Sequence, residues 1–318
     1  MGYVSHNGGK MSARYIIIFV MFAISSGPSY SQQHPDEQAD TKVARPAFDP
    51  NSGPVVAVDS GHHNYHTIDN RYSPFATLLR KDGFRVVDHA NKFDAQSLAN
   101  ISILVISNAL PPALVGKWNL PTSSAFDPAE IAALKTWVSE GGSLLLIADH
   151  LPFAGCARDL ALAFGFHFED GVVGRDRLDG RPDIFTKADG TLRDDVTTRG
   201  RDPEEVITAL RTFTGSAFRA PPIARPIIVL PPGYSVHKCG LPCPPGASRG
   251  NVSGYLQGAL LTEGKGRIAV FGEAAMFSAQ VVPSATPPFR MGFNAPRAEQ
   301  NKQFILNLMR WLAGTLPD

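Results

Sequence analysis

From residue 54 onward, short apolar runs rich in β-branched residues alternate with stretches of helical period, which restricts this chain to a parallel sheet wrapped by helices. Val55-Val56-Ala57-Val58 reads as the first buried strand. Pro74 to Lys81 then places Phe75, Leu78 and Leu79 on one helical face before Gly83 ends the helix. Phe84 to Val87 is the second strand. Ile101 to Ile106 is the third, apolar at nearly every position because both of its faces are covered. The next helix carries Asp127 as N-cap, Pro128 at the first helical position, Glu130 at the capping-box position and Gly141-Gly142 as the stop. Ile131, Leu134, Trp137 and Val138 form its buried stripe. Ser143 to Ile147 is the fourth strand, followed by a helix from Cys156 to Phe164.

Beyond Gly171 the pattern is irregular for roughly eighty residues, with Arg/Asp/Gly clusters and proline-rich joints. This stretch, about 171–250, reads as an elaboration on the sheet, within one domain over 54–318. Balanced signs in its Arg/Asp clusters describe a solvated, salt-bridged excursion. Ile227 to Leu230 has strand character, Tyr255 to Leu261 and Arg267 to Phe271 form a hairpin around Gly264-Lys265-Gly266, and an amphipathic helix closes the chain from about Arg297 to Ala313.

The first 31 residues differ from the rest. Lys10 and Arg14 precede ten apolar residues, Tyr15 to Ile24, and small residues follow up to Ser31, which is the order of a secretory signal peptide cleaved after Ser31. A membrane anchor needs about 20 apolar residues. Met11 serves equally well as the start, since it keeps Arg14 and the whole apolar run. A secreted or periplasmic protein with no membrane span after cleavage is expected, and residues 32–53, polar and proline-rich, read as a flexible leader. The full chain has 30 basic and 29 acidic residues. Removing Lys10 and Arg14 with the signal leaves 28 against 29, so nucleic acid is not an expected partner.

In sheets of this kind ligands bind beyond the carboxyl ends of the strands. The first strand is followed by Asp59, His62, His63, His66 and Arg71, the third by Asn108, the fourth by Asp149-His150 and the late hairpin strand by Glu273. These residues are expected at one rim.

The first strand ending in an acid, the Gly-Gly-Ser-Leu-Leu-Leu fourth strand, the late Gly-Arg-Ile-Ala-Val-Phe-Gly-Glu strand and the Asn-Lys-Gln-Phe-Ile-Leu-Asn-Leu closing helix resemble the class I glutamine amidotransferase-like superfamily. The resemblance covers roughly 54–314 and is nearest to uncharacterised exported domains grouped with the gliding-motility transporter-accessory, intraflagellar-transport and trehalose-utilisation branches. It implies a flavodoxin-like α/β fold, a mostly parallel sheet with helices on both faces. The amidotransferase triad does not carry over. The fourth strand ends in Ala148-Asp149-His150 with no cysteine, and Phe271 stands where the late histidine belongs. Only the location of the site is implied.

Three readings of the rim follow. In the first, His63, His66 and His150, joined by Asp59, Asp149 or Glu273, hold a divalent metal such as zinc whose bound water hydrolyses a substrate. In the second, a metal-free pocket binds a small polar molecule or carbohydrate: Asp59, Asp149 and Glu273 accept hydroxyl hydrogen bonds, Arg71 pairs with an anionic group, and His150 with Glu273 and Asp149 supplies acid–base catalysis. In the third, these residues tie loops to the sheet. Two functions are therefore expected for an exported domain with this polar rim site: hydrolysis of a small polar or sugar-like substrate, or a non-catalytic binding or assembly role with an envelope protein partner. Chemistry requires a histidine and a carboxylate within about 3 Å, whereas a binding module leaves its acids tied to backbone amides. Cys239 and Cys243, in a proline-stiffened Cys-Gly-Leu-Pro-Cys loop, are expected as a disulfide after export, and Cys156 as the free thiol.

Overall fold

The computed structural model describes residues 33–175, 182–239, 246–285 and 287–316. Five parallel strands lie where the apolar runs place them: β1 (Val55–Asp59), β2 (Arg85–His89), β3 (Ile103–Ser107), β4 (Ser143–Ile147) and, after the hairpin partner β5 (Leu256–Glu263), β6 (Gly266–Phe271). Their spatial order is β2-β1-β3-β4-β6, with β5 antiparallel to β6 and the short strands Ala217–Arg219 and His167–Glu169 continuing the sheet. The chain is thus mixed α/β with a mostly parallel central sheet.

Helices cover both faces. Helix α1 (Ser73–Lys81) and the closing α4 (Asn301–Leu312) bury Phe75, Leu78, Phe304, Ile305 and Trp311 against one side, together with the apolar side chains of the 171–250 elaboration. On the other side α2 (Pro128–Glu140) and α3 (Phe153–Ala163) contribute Leu134, Val138, Leu160 and Ala161. Helix α2 is punctuated as expected: Asp127 accepts from the amides of Ala129 and Glu130, and Glu130 reaches back to the Asp127 amide. Its stripe is narrower than the sequence suggests, because Ile131 and Trp137 are only half-buried. The closing helix begins four residues later than expected, after the turn at 297–300.

The described part of the leader, residues 33–53, packs against the rest of the chain. His34–Pro35 forms a short strand against Ala279–Val282, and the Asp36 amide bonds to the Ala279 carbonyl. Asp36 is buried beneath Arg290 and Asn294, which both donate to its carboxylate. Further along, the Arg45 carbonyl accepts from Arg201 and Arg310, and Phe48 packs edge-on against Phe84. This segment buries few apolar side chains, and its order comes from backbone pairing and charge partners far away in sequence.

The signal segment 1–31, residues 176–181 of the Arg/Asp clusters and Cys243 lie outside the described residues. Among the described residues no helix is long and apolar enough to cross a membrane.

Candidate ligand cleft

At the carboxyl end of the sheet, four strand ends surround a cleft of about 280 Å³. The loop after β1 supplies Tyr65 and His66, the loop after β3 supplies Asn108 and Trp118, the β4 end supplies Asp149, His150 and Phe153, and the β6 end supplies Glu273 and Ala275. Residues from elsewhere complete the walls: Phe213 and Thr214 from the elaboration, Gln280 and Met291 from the hairpin after β6, and Gln33 from the leader.

Asn108 joins the three loops. Its backbone is left-handed at φ 62°, a conformation that asparagine tolerates better than most residues. Its carbonyl accepts from the Tyr65 amide and its side-chain oxygen accepts from the Asp149 amide at 2.9 Å. That leaves the Asn108 amide group facing Nδ1 of His66 at 3.4 Å. Burial, then the nearby Arg71 and His150, push the His66 pKa well down, so the ring is neutral with its proton on Nε2. His66 also stacks on Tyr72, whose hydroxyl bonds to the Ala274 carbonyl and to Ser107.

The two acids at the cleft are held by backbone amides. Asp149 accepts from the amides of His150 at 2.6 Å and Ala274 at 3.3 Å. Glu273, fully buried, accepts from Ala275 and Met276, both at 2.8 Å. Burial and the neighbouring Asp149 charge nevertheless raise the Glu273 pKa well above the ordinary carboxyl value, against the pull of those two donors. His150 donates from Nδ1 to its neighbour's carbonyl, that of Leu151, at 2.8 Å, which leaves Nε2 as the acceptor of the neutral ring. Neither His66 nor His150 pairs with a carboxylate among the described residues. The remaining surface is aromatic, with Trp118 against Tyr65, Phe153 and His150 at centroid distances of 5.5–5.7 Å.

Sequence reasoning missed the wall formed by Phe213-Thr214-Gly215. Thr214 has φ 99°, a strained conformation for a β-branched residue, and Gly215 has φ 119°. A Cβ on Gly215 would lie 2.3 Å from the Gly272 carbonyl and 3.2 Å from Cβ of Glu273. Gly215→Ala is expected to displace the Glu273 arm and cost about 1–3 kcal/mol. A thermal melt checks this, and an unchanged midpoint would contradict the contact.

Several rim expectations are corrected. Asp59 and His62 lie outside the cleft, in a buried node. Asp59 accepts from the Gly61 amide, the Asn64 side chain and Nδ1 of His62 at 2.9 Å, while Nε2 of His62 donates to Glu130 at 2.8 Å. Phe93 and Phe126 enclose the ring. Both nitrogens therefore donate to carboxylates, and the capping-box Glu130 has a second partner that spacing did not reveal. His63 is exposed at φ 46° and does not line the cleft. Arg71 lies over the Tyr65 ring at 3.9 Å, behind the wall. The trio His63, His66 and His150 consequently does not converge, and among the described residues no three His, Cys, Asp or Glu side chains could hold a metal ion. Cys156 is buried in α3 with its thiol pushed up to about 12, chiefly by burial.

No family model matches the sequence, and no curated protein matches it. Among solved structures the chain is similar to the mmIFT52 N-terminal domain, with a TM-score of 0.57 at 13% identity over 81% of this chain and 97% of that one. It is also similar to a ThuA-like protein from Bacteroides uniformis, with a TM-score of 0.42 at 11% identity over 84% of this chain and 94% of that one. A GH42 β-galactosidase from G. stearothermophilus is a third neighbour, with a TM-score of 0.40 at 13% identity over 82% of this chain and 30% of that one. The first of these likenesses shows a shared fold.

Proposed function

We propose that this protein binds a small, hydroxyl-rich ligand in the rim cleft, and that it acts as a recognition module of the cell envelope. The observation that carries this reading is the pairing of an aromatic wall, Trp118 with Tyr65 and Phe153, with acids that are already anchored to backbone amides. Aromatic faces accept the apolar face of a sugar ring, and fixed polar groups beside them select its hydroxyls. Arranged in this way, Asp149 and Asn108 are placed to orient a ligand. The order of the parallel strands, with the first between the second and third, is the doubly wound order of flavodoxin-like sheets, and ligands bind such sheets at this rim. In the same reading residues 1–31 are an export signal, and Cys239 with Cys243 forms a disulfide in the oxidising compartment.

Calorimetric titration with D-glucose, D-galactose, D-mannose and N-acetyl-D-glucosamine tests the cleft. Binding of at least one, weakened at least tenfold by Trp118→Ala, is expected. No binding by the native protein would overturn the reading. Thiol counting on the denatured, unreduced protein is expected to find one free thiol, Cys156, and three would overturn the disulfide.

A second reading, acid–base hydrolysis of the bound sugar, draws on one observation: Glu273, whose pKa burial raises well above the ordinary carboxyl value, and His150 share the cleft. Release of nitrophenol from nitrophenyl glycosides, lost in both Glu273→Gln and His150→Ala, would favour it.

A further inference from the structure

Gln280 lines the cleft and is fully buried. It sits on the strand Ala279–Val282, held on one edge by the leader, where Pro35 stands opposite Gln280, and on the other by Phe289–Gly292. Its Nε2 lies 2.7 Å from Oγ of Ser278, and that hydroxyl donates to the Ala275 carbonyl at 2.8 Å. A hydroxyl has one proton. With the Ser278 proton directed at Ala275, the group facing Ser278 must itself be a donor. The opposite amide orientation would set one of these contacts oxygen against oxygen with no proton between. The carboxamide is therefore oriented by its neighbours, and its carbonyl oxygen, Oε1, has no hydrogen-bond partner. A buried acceptor of this kind is costly to leave unmade.

We infer that Oε1 of Gln280 is a ligand contact, accepting a hydrogen bond from a hydroxyl of the bound polyol. This rests on the cleft reading above and specifies it further. Asp149 and Gln280 both line the cleft with acceptor oxygens, so the ligand has to bring more than one donor, which a neutral polyhydroxylated ring does.

The test uses the whole protein and the same four sugars, titrated calorimetrically into native protein and Gln280→Met. Methionine keeps the volume and removes the acceptor. About tenfold weaker binding is expected, as for the loss of one hydrogen bond. The melting temperature should stay level or rise, because the variant no longer buries an unmatched oxygen. A merely structural Gln280 gives the converse, a lower melting temperature with affinity unchanged, and equal affinity overturns the inference while leaving the cleft intact. Failure of the native protein to bind any of the four sugars removes the cleft reading and this inference with it. Should the variant not fold, the assigned side-chain amide resonances of Gln280 in the native protein decide. They should shift on saturation with sugar, and their failure to move while binding is observed would refute the contact.

Discussion

Replacing Arg310 by methionine is expected to lower stability by about 3–5 kcal/mol, the range for breaking a buried ion pair from one side. Arg310 is 1% exposed and forks onto both oxygens of Asp82, at 3.0 and 2.7 Å, while its remaining nitrogen reaches Glu205 at 2.9 Å. Methionine fills much of the volume but strands the buried Asp82 carboxylate and removes one of several cations from Glu205. Asp82 would keep only the Ala47 amide, and Glu205 would keep Arg201. A domain of this size loses about 2–4 °C in melting temperature per kcal/mol, so a fall on the order of 10 °C should appear. The same guanidinium also holds the Arg45 carbonyl, so trypsin should cut the variant near Lys42 and Arg45 faster than the native protein. Asp202→Ala provides the contrast. Its pair with Arg45 is solvent-exposed and screened, so its loss should shift the melting temperature far less. Equal effects of the two substitutions would refute the buried clasp.

The second large effect is expected from His62→Phe, which preserves the aromatic packing against Phe93 and Phe126 and removes the cation between Asp59 and Glu130. About 3 kcal/mol should be lost near pH 6. Burial alone would lower the His62 pKa, but hydrogen bonds and charge from Asp59, then Glu130, raise it above its ordinary value of 6.5. The sign of the pH dependence follows. A folded-state pKa above the unfolded one gives stability that is complete below about 6.5 and is lost as pH rises through the raised value. The gap between native and variant melting temperatures should therefore narrow as the solution becomes alkaline. A gap that is constant, or widens, would show that the ring is neutral.

The fold was readable because burial on both faces leaves continuous apolar strands, and because helix ends carry capping chemistry that acts over three or four residues. The hairpin, the Asp127 cap and the strand ends all follow from such local rules. The site was readable only in part. Asp149, His150, Glu273, Asn108 and His66 do meet in one cleft, since each directly follows a strand or its first loop. Asp59 and His62 follow a strand equally closely, yet they turn toward Glu130, 68 residues further along, and no spacing rule encodes that pairing. Trp118, Phe213 and Gln280 reach the cleft from loops whose path depends on tertiary contacts, and nothing in their immediate neighbours announces it.

The hairpin that carries Gln280 has its outer edge covered by two residues near the start of the described chain, His34 and Pro35. A protein shortened to begin at residue 40 would leave the outward-facing backbone groups of Ala279–Val281 unpaired, and such an edge recruits strands from other molecules. Self-association of the shortened chain would thus compete with ligand for the same wall, so that the oligomeric state and the shape of the binding pocket become linked properties.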